Sequence, residues 1–387
     1  MSDFRDSILE LKVIDTHNHL DYNNVIANDF WDLGEYYWLL RHLWGAGYPK
    51  DFAGLPMKQR AFEFIKAFKG AENTIWCRSL KKAIRDLYGL ELTNEKSVFE
   101  IDEAVKGKAK EQGWAKKVLE MTKIEKAVVN SPEKHTEFIQ LPNVCVTVPR
   151  IDPLVRKWAK RAANGEEVET EIFNLLSGFK MDGRTGIMTK VDRLDTSTHT
   201  DFLVKNNMTY SDGLIAVLHY ISRGAEKLNM FVQFFLGVED GYASQCVPAN
   251  DPDSITKLFG LFERYNCNYD LVISSQANNI DVVNAGNVFS NVYAGGLWWY
   301  NFRPSSYMEA MGQRLEALPS IKSSIVATDA KCLEWCYTKL LVVKETLSLF
   351  LEGQIKHGTI DSELALKVAG DWLYNTPAKL LSKEGQL

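Results

Sequence analysis

Short apolar runs recur along the chain, separated by longer stretches in which apolar residues return every three or four positions. The runs are Leu11–Asp15, Lys126–Asn130, Val144–Arg150, Gly178–Asp182, Met230–Gly237, Asp270–Ser274, Val292–Gly295 and Ser323–Asp329. They are β-branched or apolar in content, and together they make eight candidate strands. The intervening stretches, such as Ser211–Leu228 and Ser254–Tyr265, carry the period of amphipathic helices. Strands alternating with helices imply parallel pairing, and eight such units predict an α/β protein built as a (β/α)8 TIM barrel.

One interval departs from this rhythm. Between the first two strands lie residues 20–125, rich in Lys, Glu, Leu, Phe and Trp, with helical spacing at Arg60–Lys69 and Leu80–Tyr88. We read this interval as a helical insertion after the first strand, capping the catalytic face of a single barrel that spans residues 1–387. No internal repeat, low-complexity tract or linker rich in Gly, Ser and Pro marks a second domain. Closing helices are expected over Glu334–Glu352, Asp361–Trp372 and Pro377–Leu381.

Composition narrows the classes of function. With 45% hydrophobic and 25% charged residues the chain reads as an ordinary globular protein. A net charge of −5 and the lack of a basic stripe argue against nucleic acid as a partner. No run of about 18 apolar residues predicts a membrane span. The N-terminal Met1-Ser2-Asp3-Phe4-Arg5-Asp6 lacks the apolar core of a signal peptide. Cys77, Cys145, Cys246, Cys267, Cys332 and Cys336 form no CxxC pair, so free thiols in a reducing cytoplasm are expected. A homo-oligomer is compatible with all of this.

The candidate chemistry sits at strand ends. Asp15-Thr16-His17-Asn18-His19 follows the first apolar run, and residues two apart along a strand point the same way. His17 and His19 can thus aim two imidazoles at one point. Asp329 ends the last strand, which neighbours the first in a closed barrel, so the three residues converge. Two neutral nitrogens and one carboxylate suit one divalent ion, zinc foremost. Helix capping is the competing role for Asp329. Arg150 stands at the end of the third strand, where its fork can hold a carboxylate, or simply form a surface ion pair. Trp298 and Trp299 follow a Gly-Gly pair and could form a wall for a sugar ring or pack into the core. Lys180, at the end of the fourth run, is a candidate for a substrate oxygen, a carbamylated metal ligand or an ion pair with Asp182 or Asp15. Lys331 could join the substrate cradle or point to solvent. His219 reads as a structural mid-helix residue. His42, His135 and His357 read as surface, and His199 lies in a polar loop on the catalytic side.

These motifs resemble the uronate isomerase (glucuronate isomerase) family of the metal-dependent amidohydrolase superfamily. The resemblance rests on Asp15-Thr16-His17-Asn18-His19-Leu20, the Tyr-rich Gly34-Glu35-Tyr36-Tyr37-Trp38-Leu39-Leu40-Arg41, Arg150-Ile151-Asp152, Trp298-Trp299-Tyr300-Asn301 and Thr328-Asp329-Ala330-Lys331. It implies reversible aldose–ketose isomerisation of a hexuronate through an enediolate. His17, His19 and Asp329 would hold the metal, Asp329 would also move the proton between C2 and C1, Arg150 would bind the uronate carboxylate, and Tyr37 would hydrogen-bond near the reacting carbons. The partner is then a small sugar acid. Three positions depart from this pattern. Phe235 stands where many amidohydrolases place a histidine, Ser274-Ser275 again offers none, and Lys331 replaces the family's usual Arg. The chain is also shorter than typical members. A mononuclear metal-dependent hydrolase or decarboxylase on the same barrel is the alternative, and a non-catalytic binder of a sugar acid is a third reading.

Overall fold

The computed structural model describes residues 2–131, 138–199, 208–242, 245–248, 253–298 and 302–381. His135, Trp299, Tyr300 and Asn301 lie outside them. Nine strands occur among the described residues: β1 (Val13–Asn18), β2 (Ile124–Ser131), β3 (Cys145–Pro149), β4 (Gly186–Lys190), β5 (Phe231–Leu236), β6 (Val238–Tyr242), β7 (Gln245–Pro248), β8 (Tyr269–Ile273) and β9 (Val292–Leu297). Strands β1-β2-β3 form one parallel sheet and β4-β5-β8-β9 another, while β6 and β7 make an antiparallel hairpin beyond the end of β5.

The two parallel sheets join into one ring. A parallel bridge from Arg150 to Met188 links β3 to β4. On the other side, residues 323–328 bridge β9 through Ala294–Ser323 and Leu297–Val326. The same segment reaches β1 through Thr16 N–H to the Val326 carbonyl (3.2 Å) and Asp329 N–H to the His17 carbonyl (2.8 Å). Gly296 permits this approach, because a Cβ there would lie 2.6 Å from the Val326 carbonyl oxygen. Hydrogen bonds therefore run around eight parallel segments, in agreement with the expected α/β barrel, and the C-terminal strand ends share one face.

Seven of the eight expected strands fall on or beside observed barrel segments. Gly178–Asp182 does not. It lies at the end of the helix Glu169–Met181, which buries Ile172, Leu176 and Phe179 at helical spacing. The true fourth strand is the short Gly186–Lys190, whose glycine faces the Phe231 ring at a point where a Cβ would come within 2.5 Å. The interval after β1 contains the helices Phe30–Gly34, Tyr37–Gly45, Met57–Gly70, Ile75–Tyr88, Glu95–Ala109 and Trp114–Thr122. Buried Glu334, at the start of the helix Leu333–Lys356, ties this layer to the barrel. Its carboxylate accepts from Ala27 N–H (3.0 Å), the Tyr88 hydroxyl (3.1 Å) and the Trp114 indole (3.2 Å). No described helix is long and apolar enough to cross a membrane. Cys77, Cys145, Cys267, Cys332 and Cys336 are free thiols.

Candidate metal centre and active site

Pairing between β1 and the closing segment brings three predicted residues together. His17 Nε2 and His19 Nε2 each lie 3.1 Å from Asp329 Oδ1. His17 and Asp329 are buried, whereas His19 keeps 28% of its side chain exposed. All three ligand atoms lie within 4.8 Å of one another, the sole such group of three among the described residues. Bond lengths of about 2.0–2.2 Å put the ligand atoms of a tetrahedral zinc site roughly 3.3 Å apart, so the two 3.1 Å imidazole–carboxylate spacings and the donor chemistry fit a divalent ion. Among the described residues no fourth His, Cys, Asp or Glu joins it. The Phe235 ring fills the flank of His17 at 4.6 Å between centroids and also packs 4.8 Å from Trp298. Ser274 turns its hydroxyl to the carbonyls of Leu236 and Gly237.

Electrostatics favour ligation. Burial pushes His17 down to about 4, which keeps the ring neutral as a metal ligand must be. Burial alone would raise the Asp329 carboxyl, but the adjacent His19 and His17 overcome it and hold Asp329 well below the usual carboxylate range. On the outer side Asn130 Nδ2 lies 3.4 Å from His19 Nδ1. His17 Nδ1 is buried without a hydrogen-bond partner.

Asp329 is also the centre of a set of aromatic donors. The Trp298 indole donates to Oδ1 at 3.1 Å. Tyr37 and Trp38, at the start of the helix Tyr37–Gly45, both donate to Oδ2. The Tyr36 hydroxyl donates to the Asp329 carbonyl, which Tyr37 also reaches at 3.3 Å. Burial, reinforced for Tyr37 by the Asp329 charge, raises both phenols well above 10, so they stay protonated as donors. Asp329 itself sits at φ +53°, in the left-handed region that non-glycine residues seldom occupy. Beneath it, Asp15 locks β1 to the closing segment: its carboxylate accepts from Thr328 N–H (2.9 Å), Thr328 Oγ1 (2.5 Å) and Asn18 Nδ2 (3.0 Å).

The other expected site residues divide. Arg150 stands at the end of β3, paired with Asp152 at 2.7 Å and 5.7 Å from the Phe235 ring. Lys331 is exposed, with Nζ 4.9 Å from the centre of the Tyr37 ring. Trp298 is buried, and its indole N–H donates to Asp329 Oδ1. Lys180 requires correction. It lies on the helix Glu169–Met181 rather than at a strand end, and its ammonium donates to the Asn229 carbonyl at 3.0 Å, in the turn that enters β5 at the opposite end of the barrel. His219 is structural as expected, between the Tyr265 hydroxyl (3.1 Å) and the Thr198 carbonyl (3.0 Å). His199 is exposed, 3.6 Å from Glu263. Tyr36 and Trp38 are the direct Asp329 partners that the individual residue readings missed. Their signal was a run of three hydrogen-bonding aromatics at a helix start.

No family model matches the chain, and no curated protein matches it in sequence. Solved structures do match it in shape. A uronate isomerase from Thermotoga maritima superposes with a TM-score of 0.82 at 15% identity, covering 98% of this chain and 96% of that one. A glucuronate isomerase from Caulobacter crescentus gives 0.81 at 15% identity over 98% and 93%. A uronate isomerase from Bacillus halodurans C-125 gives 0.79 at 15% identity over 98% and 95%. The chain thus covers nearly the whole length of each, and its fold is that of the uronate isomerases.

Proposed function

We propose that the protein is a metal-dependent aldose–ketose isomerase acting on a hexuronate such as D-glucuronate or D-galacturonate. The observation that carries the reading is the meeting of His17, His19 and Asp329 at the mouth of a barrel shared with uronate isomerases. The ion we assign to this trio is zinc. When bound, it would polarise the substrate's carbonyl and hydroxyl oxygens and stabilise enediolate charge.

The chain's own residues supply the rest. Asp329 takes the proton from C2 and returns it to C1, a transfer that needs a carboxylate within hydrogen-bond reach of both carbons. Tyr37 and Trp38 orient Oδ2 for this task, and the Tyr37 hydroxyl hydrogen-bonds to the substrate oxygens beside the reacting carbons. Arg150 exchanges part of its pairing with Asp152 for the substrate carboxylate, with Lys331 at the rim. Phe235 favours isomerisation over hydrolysis, because it removes the histidine position at which a water would be handled and keeps that flank apolar.

The test is conversion of D-glucuronate and D-galacturonate to ketoses by protein stripped with a chelator and then reloaded with zinc. Ketose formation that is lost on stripping and regained on reloading supports the reading. Equal turnover by stripped and loaded protein removes the metal from it, and no ketose from either sugar removes the substrate class.

A further inference from the structure

Lys339 lies in the helix Leu333–Lys356 and is 1% exposed, yet no carboxylate oxygen among the described residues lies within 4.0 Å of its ammonium. The rings of Tyr36 and Trp76 (4.8 Å each) and Phe302 (5.7 Å) surround its ammonium. Taking an ammonium out of water costs several kcal/mol, and an apolar residue of similar volume would serve packing as well or better. The cation grips the main chain around the candidate metal ligand. Nζ donates directly to the Thr328 carbonyl and, at 2.9 Å, to the Tyr36 hydroxyl, which in turn donates to the Asp329 carbonyl. Both carbonyls flanking the Asp329 α-carbon are thereby fixed. Between them lies the left-handed backbone at φ +53°. A non-glycine residue holds that conformation at a cost of about 1–3 kcal/mol and only where its surroundings over-determine it. Three donor hydrogens on one atom let a single lysine hold two oxygens and still face an aromatic ring.

We propose that Lys339 is a positioning residue, which through Thr328 and Tyr36 holds Asp329 in the left-handed conformation that aims its carboxylate at His17 and His19. It touches neither the ligand atoms nor a substrate. This inference rests on the metal site of the preceding reading, but not on its substrate.

The test uses cobalt(II) in place of zinc in the full-length chain, because visible cobalt bands report ligand geometry without any substrate. Lys339→Met, which keeps the packing and removes the donors, is compared with Tyr36→Phe and with the double variant. Circular dichroism and thermal melting establish folding. The expected result is a folded Lys339→Met chain that binds cobalt at least tenfold more weakly, with shifted visible bands. Tyr36→Phe should shift the bands in the same direction by less, and the double variant should be no worse than Lys339→Met, since both act along one path. A folded Lys339→Met chain with wild-type cobalt affinity and spectrum overturns the proposal, even if its melting temperature falls. Should Lys339→Met not fold, an unchanged spectrum in Tyr36→Phe overturns it and a shifted one supports it. A wild-type chain that takes up no cobalt overturns it together with the metal site. A chain that binds cobalt normally but converts no hexuronate defeats only the proposed function, and the cobalt comparison still decides the role of Lys339.

Discussion

Asp329 and Asp270 are both buried carboxylates of the same barrel, and their surroundings drive them in opposite directions. Asp329 lies past the end of the closing segment, where two imidazoles, two indoles and a phenol converge on its oxygens. Asp270 lies inside the barrel near the start of β8 and accepts a single hydrogen bond, from Gln233 Nε2 at 2.7 Å. Its other oxygen has no partner. Burial accordingly pushes Asp270 up to about 6, whereas His19 and His17 keep Asp329 ionised against the same burial. Arg314 is near enough to lower Asp270, but it forms no ion pair with it. Its guanidinium is committed to the Gly295 carbonyl (2.9 Å), the Ser324 carbonyl (2.6 Å) and Asn279 Oδ1 (3.0 Å). Burial alone therefore does not set the charge of a carboxylate here. Position at the strand-end face and the donors gathered there do.

Breaking the Asp329 side should have the largest effect. Asp329→Asn removes the charge on which both histidines converge, and bound metal should fall from near one ion per chain to well below it, as read by elemental analysis of protein dialysed against zinc. Retention of a full ion would detach Asp329 from the site. At the rim, Arg150→Met should raise KM for a hexuronate about tenfold while kcat changes less, as expected when a charged hydrogen bond to the substrate carboxylate is lost. Normal KM would leave Arg150 with its structural pairing to Asp152 alone.

The Asp270 side should respond in stability rather than activity. A carboxyl raised in the folded state loses its proton first in the unfolded chain, so this group's contribution falls as pH rises from about 4 through 6. The resulting penalty at neutral pH is on the order of 3 kcal/mol. Asp270→Asn removes that titration. Relative to wild type it should gain stability between pH 4 and pH 7 in denaturant unfolding, with kcat held within about twofold. A stability difference independent of pH would contradict the assignment. The smallest effect is expected from Lys180→Ala, which should leave kcat and KM unchanged. A tenfold loss there would reopen the role its corrected position denies it.

The strand-borne half of the site was legible because a strand's alternation is local. His17 and His19 are two residues apart, and Asp329 ends a β-branched run whose barrel neighbour is β1. The fourth strand was misplaced because Gly178-Phe179-Lys180-Met181-Asp182 is about as apolar as the short Gly-Ile-Met-Thr-Lys segment, although the spacing of Ile172, Leu176 and Phe179 is helical. The contacts of Tyr36 and Trp38 with Asp329, and the reach of Lys339 to Tyr36, cross about three hundred residues and depend on how the inserted helices sit over the barrel. No periodicity encodes that. The hydrogen bond from Trp298 to Asp329 was not legible, since a sequence places an indole at a strand end without fixing where its N–H points.

The proposed function stands on proton transfer at C2 of a hexuronate by a metal-loaded chain. The most direct measurement is proton NMR of the zinc-loaded protein with D-glucuronate or D-galacturonate in heavy water. Ketose signals and deuterium entering at C2 of the recovered aldose are the expected result. Neither signal with either sugar, from protein carrying one ion per chain, would contradict it.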